Sequence, residues 1–243
     1  MCVAAAAWLA HPRWRLVAIG NRDEYHERPA APLDRWDDGS RIIAGKDLRA
    51  GGTWLGVGEA GRFALVTNFR VEGHPKPGMA SRGALVSDWL ATGTLNLTPQ
   101  MNPFNLFVAD ETELRLITNY PAAEDRVLPP GIHGLSNGAF DHPWPKSRAL
   151  CASLADWLDG SAEDFSPLFA ALADRTEFAV GSEPADGPEP PYSPVFIANP
   201  VYGTRCSTVI AIDHEGSGTI AERGFTAAGA PSGETLLTIE SSA

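Results

Sequence analysis

Apolar and polar positions along this chain fall into short blocks that read as strands, then helices, then strands again. Residues 2–10 form an apolar run, His11-Pro12-Arg13 makes a turn, and residues 14–20 run back, which predicts an opening β-hairpin. Four consecutive alanines, Ala4 to Ala7, are poor strand formers, so this strand rests on position and length, and a helix remains the alternative there. Residues 53–57 and 62–69 predict a second hairpin around Glu59-Ala60-Gly61, and residues 105–110 and 113–119 a third.

Helical periodicity then takes over. Ser81 is placed to cap a helix whose Leu85, Val86, Trp89 and Leu90 share one face and which Gly93 ends. Pro145 suits a first helical turn ahead of a stripe of Leu150, Cys151, Leu154, Trp157 and Leu158, with Gly160 as the stop. A third helix is expected over residues 162–175, burying Phe165, Leu168, Phe169 and Leu172. Strand patterns return at 194–199, 205–212 and 218–226. Residues 183–194 hold five prolines among acidic and small residues, which predicts a surface loop placed to cover a site. No repeat or linker divides the 243 residues, so a single α+β layered domain over 1–243 is expected.

Composition narrows the function classes. A net charge of -11 argues against a nucleic-acid partner, because such binding rests on Lys and Arg neutralising phosphates. The charge reads first as solubility, and second as weak steering of a cationic or neutral substrate. Three cysteines, with no Cys-x-x-Cys pair, form no disulfide framework and point to a reducing compartment. The apolar opening is too short for a secretory signal and lacks basic residues before it, so a cytoplasmic location is expected. No run reaches the ~20 apolar residues of a membrane helix.

Candidate chemistry gathers near the start. Removal of the initiator Met1 would leave Cys2 as the chain terminus, its thiol beside its own α-amino group, which is able to act as general base. Taken alone, Cys2 also fits as the first residue of a buried strand. Asn21-Arg22-Asp23-Glu24 follows the second strand, and a hairpin returns this cluster to the chain start. A guanidinium there stabilises a thiolate, and a carboxylate holds an α-ammonium. In an extended chain Arg22 and Glu24 face one way and Asn21 and Asp23 the other, which leaves open whether Asp23 or Glu24 is the partner.

Six ordered motifs carry a resemblance. They are Met1-Cys2; Asn21-Arg22-Asp23-Glu24-Tyr25 with Arg28-Pro29; Gly51-Gly52-Thr53-Trp54-Leu55-Gly56; Thr67-Asn68-Phe69; Gly134-Leu135-Ser136-Asn137 with Pro143-Trp144-Pro145-Lys146; and Tyr202-Gly203-Thr204-Arg205. Together they resemble the NRDE, or transport and Golgi organisation, family over residues 1–225 or so. That family is similar in turn to cysteine N-terminal-nucleophile hydrolases such as bile salt hydrolases and penicillin V acylases. The resemblance implies a four-layer αββα sandwich of two antiparallel sheets. It implies Cys2 as nucleophile, Arg22 and Asp23 as its charged partners, Asn68 and Asn137 as oxyanion-hole residues, and Arg205 as a late arginine approaching the nucleophile. Arg22 and Asp23 are adjacent here, whereas the hydrolases space the corresponding pair three residues apart. The implied activity is hydrolysis of a small-molecule amide or acyl bond. The alternative is a non-catalytic protein holding haem or an acyl-CoA, since the family has been linked to haem handling and lipid metabolism.

Other signals are weaker. Gly134-Leu135-Ser136-Asn137-Gly138 matches the nucleophile-elbow spacing. However, that elbow needs a helix directly after its serine, and Pro129-Pro130-Gly131 leaves little room for a core strand before it. His11, His26, His74, His133, His142 and His214 show no metal-binding spacing, so neither metal nor resident cofactor is expected, with axial haem ligation the one alternative. Residues 45–56 are glycine-rich without either phosphate-binding fingerprint. Trp54 is a candidate pocket wall as well as a core residue, Cys151 belongs to an apolar helix stripe, and Cys206 beside Arg205 stays unassigned.

Overall fold

The computed structural model describes residues 2–58, 61–177 and 194–241. Two antiparallel sheets face each other. The first has six strands in the order β10 (Gly131–Leu135), β1 (Val3–Trp8), β2 (Trp14–Tyr25), β11 (Tyr202–Asp213), β12 (Gly218–Phe225) and β13 (Pro231–Ile239). The second has seven, β3 (Ala30–Arg35), β4 (Ile43–Asp47), β5 (Leu55–Val57), β6 (Phe63–Asn68), β7 (Phe104–Ala109), β8 (Leu114–Thr118) and β9 (Glu124–Leu128), in chain order. Helices α2 (Pro145–Asp159) and α3 (Ser166–Leu172) cover the outer face of the first sheet, and α1 (Arg82–Thr92) covers the second. The result is the αββα sandwich, with one core between the sheets and one under each helix layer.

The opening alanines are strand. Cys2, Ala4, Ala6 and Trp8 face the core between the sheets, while Val3, Ala5 and Ala7 face α2 and α3. Both faces of this strand are covered, and small side chains let a helix and a sheet approach it together, which overrides weak strand propensity. The three expected hairpins form, with β1 on β2, β5 on β6 and β7 on β8. Ser81 stands at the cap position of α1, but its side chain makes no capping bond; Gly93 closes the helix in the left-handed region at φ 70°. The helix expected over 162–175 shortens to Ser166–Leu172, and residues 194–199 are not strand. Five strands escaped the periodicity: β3, β4, β9, β10 and β13. Four of these are the edges of the two sheets, where prolines and polar residues blur the alternation. A strand does form before Ser136, since β10 pairs with β1 directly after Pro129-Pro130, but it is a half-buried edge strand rather than a core strand. No helix follows that serine until α2 begins at Pro145, so the elbow is still absent. The loop expected at 183–194 lies, apart from Pro194, outside the described residues. No described helix is long and apolar enough to cross a membrane.

Candidate active site

Strand register assembles the site. Val3 pairs with Asn21, so Cys2, one residue earlier, stands beside Arg22, and Arg22 pairs on its other side with Cys206. A guanidinium-bearing strand position thus lies between two thiol-bearing ones. The register slips between Thr204 and Cys206, so Arg205 occupies a β-bulge. Bulges re-aim side chains, and here Arg205 Nη1 donates to the main-chain carbonyls of Tyr25 (3.0 Å) and Arg28 (3.1 Å).

Cys2 is 9% exposed and belongs to the inter-sheet core. Its carbonyl accepts the Ser136 hydroxyl at 2.9 Å, which ties the chain start to the end of β10. Burial pushes its thiol up, and the nearby Asp23 charge adds to that; the Asp23 main-chain N–H and Arg22 work against it without cancelling it. Asp23 projects to the opposite face of β2 from Arg22. Its Oδ1 accepts the Thr204 hydroxyl at 2.7 Å, and Tyr202 donates to its carbonyl at 2.8 Å. Burial raises the Asp23 carboxyl above the usual range, with Lys146, Thr204 and Arg22 opposing. Lys146 itself is fully buried on the first turn of α2.

Arg22 Nη2 donates to Asp47 Oδ2 at 3.2 Å, and Arg28 Nε donates to the same oxygen at 2.5 Å. Burial alone would raise the Asp47 carboxyl, but the Arg28 bond, the Ala50 N–H and the charges of Arg28 and Arg22 bring it below its ordinary value. Arg22 Nη1 is buried and, among the described residues, has no hydrogen-bond partner. Asn68 ends β6 with its side chain exposed, and its carbonyl accepts Asn137 Nδ2 at 2.8 Å. Thr67 Oγ1 donates to the Ser136 carbonyl and Asn105 Nδ2 to the Gly138 carbonyl, so loop 136–138 is stitched to the ends of β6 and β7.

These groups open onto a cleft of about 1020 Å³. Cys2, Arg22, Asp23, Trp54, Asn68 and Arg205 all line it. Asn137 is not among its lining residues; it is 1% exposed, behind Asn68. Trp54 serves both roles at once, being also part of the inter-sheet core. Sequence reading missed Arg28, Asp47, Arg82 and Glu222, which line the cleft too. Arg28 lay inside a quoted motif and Arg82 one residue past a noted cap; Asp47 and Glu222 carry no local signal. Cys151 packs against the core under α2 and burial lifts its thiol to about 11. Among the described residues, no three His, Cys, Asp or Glu side chains are grouped to hold a metal ion.

The family model for Transport and Golgi organisation 2 matches residues 1–227. The chain belongs to the Transport and Golgi organisation 2 family. The Homo sapiens family member is 30% identical over 246 residues, covering 86% of each chain, and that of Mus musculus is 29% identical over 242. Among solved structures, the mutant C2A conjugated bile acid hydrolase from Clostridium perfringens superposes with a TM-score of 0.54 at 9% identity, covering 99% of this chain and 92% of that one. The Caenorhabditis elegans N-acylethanolamine-hydrolyzing acid amidase ortholog gives 0.50 at 12% identity, covering 86% and 92%. The chain therefore shares the fold of N-terminal-nucleophile hydrolases.

Proposed function

We propose that this family member is a cysteine N-terminal-nucleophile hydrolase of small-molecule amides or related acyl compounds. The observation that carries this reading is the placement of Cys2 at one cleft with Arg22 beside it, Asp23 behind it and Asn68 facing the same space.

The pKa directions fit a mechanism that needs its own base. Burial keeps the Cys2 thiol protonated, so attack requires a proton acceptor, and removal of Met1 supplies one as the Cys2 α-amine. The amine takes the thiol proton, and Sγ bonds to the carbonyl carbon. Negative charge moves to the carbonyl oxygen, where Asn68 Nδ2 donates to it; one such donor contributes about 3–4 kcal/mol. The C–N bond then breaks, and the leaving amine takes the proton from the α-ammonium. Water, deprotonated by the same amine, hydrolyses the thioester and returns the thiol. Arg22, through its unpartnered Nη1, stabilises the transient thiolate, and the Asp23 carboxyl holds the α-ammonium. Arg205 braces the 25–28 turn that carries Arg28. Asn137 fixes Asn68, having committed one N–H to its carbonyl.

The test is the mass of the N-terminal peptide after brief, limiting iodoacetamide treatment at neutral pH. Burial holds Cys151 near 11 and lifts Cys206 well above the ordinary thiol, so both should react slowly. The expected result is Met1 absent and Cys2 alkylated first. Met1 retained, or Cys2 as slow as the others, rejects the nucleophile. The raised Cys2 thiol also supports a second reading, a non-catalytic cleft that holds haem or an acyl-CoA. A stoichiometric Soret complex with haemin that is indifferent to Cys2→Ala would select it.

A further inference from the structure

The cleft has a charge character that the whole chain does not. The protein carries 30 acidic and 19 basic residues. Among the described residues, six basic ones line this cleft, Arg22, Arg28, Lys46, Arg49, Arg82 and Arg205, against five acidic ones. Most of the six are accounted for. Arg22 and Arg28 share Asp47, and Lys46 pairs with Asp38 at 3.7 Å while lying over the Trp36 ring. Arg49 shows no buried partnership. Arg82 and Arg205 are different from the exposed Arg49, because both are partly buried and yet among the described residues neither has a carboxylate at ion-pair distance. Each donates only to main-chain carbonyls, Arg82 to Pro103 at 3.1 Å and Arg205 to Tyr25 and Arg28. Burial pulls both guanidiniums below the ordinary arginine range, and the charge of Glu24 in the same cleft opposes this without cancelling it.

Arg82 has the better-built surroundings. It is the first residue of α1, whose first turn contains no acidic residue and whose Ser81 makes no side-chain cap. The positive end of the helix dipole is therefore not neutralised where it meets the cleft. Gly52 explains how the turn is held there. A Cβ on Gly52 would come within 2.5 Å of the Gly83 backbone, and the Thr53 N–H donates to the Gly83 carbonyl at 3.3 Å. Arg82 and Cys2 line the same cleft, so a thiolate formed at Cys2 would act on this guanidinium. Pro75, Pro77, Met79 and Phe225 give the same cleft apolar surface for a chain.

We propose that the ligand of this cleft carries an oxyanion, carboxylate or phosphate, which pairs with Arg82 at the first turn of α1. The idea rests on the cleft being the ligand site proposed above, and it names the substrate class: an acyl compound whose polar end is anionic. An N-acyl amino acid is then preferred to a neutral N-acylethanolamine of the same chain. The overall charge of -11 gave the opposite expectation of a cationic or neutral substrate, and the local arrangement of arginines overrides it.

Binding to the Cys2→Ala protein separates this proposal from catalysis. Three probes share one chain: N-dodecanoylglycine, N-dodecanoylethanolamine and dodecyl phosphate. At least one anionic probe should bind about tenfold more tightly than the ethanolamide, as one charge-assisted contact supplies, and whichever anion binds better identifies the group. Arg82→Gln should remove the difference while leaving ethanolamide affinity unchanged, and Arg82→Lys should restore part of it. Ethanolamide binding by Arg82→Gln shows that the cleft is still folded. Equal affinities for all three probes, or a preference untouched by Arg82→Gln, overturn the anion subsite. If the preference and its loss are both seen but the wild-type chain with Met1 removed cleaves no probe, the subsite stands and the hydrolase reading falls.

Discussion

Cys2 is held from three sides by residues far from it in sequence. Ser136 bonds its carbonyl, Arg22 lies beside it across the β1–β2 pair, and the Asp23 main chain reaches its sulfur. At this scale the two asparagines divide their work. Asn68 is exposed to the cleft, whereas Asn137 is buried and bonded to the Asn68 carbonyl. Asn68→Ala should lower kcat by about 100- to 1,000-fold with KM little changed, the signature of a donor that acts on the transition state. Asn137→Ala should lower kcat less, through a looser Asn68. Steady-state kinetics on any amide that the wild type cleaves would check both, and an unaffected kcat in Asn68→Ala would remove it from the oxyanion hole.

Between elements, Glu222 joins the two sheets beside the cleft, as the Arg22–Asp47 pair also does. Glu222 on β12 accepts the Leu33 N–H of β3 at 2.8 Å, and also accepts from Thr208 at 3.4 Å and from the Cys206 thiol. Burial raises its carboxyl above 4.5, and these donors only partly oppose that. A raised folded pKa means that its stabilising contribution is complete below the unfolded value and fades as pH rises through the folded one. Glu222→Gln should therefore flatten the decline in Tm between pH of about 4.5 and neutrality. Thermal melts across that range decide the matter, since an unchanged slope in the variant means that Glu222 does not titrate there.

For the whole molecule, three cores are separated only by the two sheets. Trp8 lies between the sheets, Trp14 and Trp157 under α2 and α3, and Trp89 under α1. The central strands of each sheet are buried on both faces, so a helix layer that leaves exposes strands that also wall the central core. Loss of one core should then carry the others with it. In urea, tryptophan fluorescence and far-UV circular dichroism are expected to trace one coincident transition. Separate midpoints would show that a helix layer detaches first.

Much was legible in the residues alone. Glycine stops, Pro145 and the apolar stripes located α1 and α2, and the hairpins followed from short alternating runs joined by tight turns, because these signals are local. The six motifs named the family and gathered Cys2, Arg22, Asp23, Asn68 and Arg205, which line one cleft. The edge strands were illegible, since a strand half open to water needs no clean alternation. The bulge at Arg205, the service of Asp47 and Glu222, and the gathering of arginines at the cleft of an acidic chain were decided only in three dimensions. Their cause is pairing between distant strands: Ser136 meets Cys2 across 134 residues and Glu222 meets Leu33 across 189. Local periodicity sets which face a residue presents, but only the register of distant strands sets what that face meets.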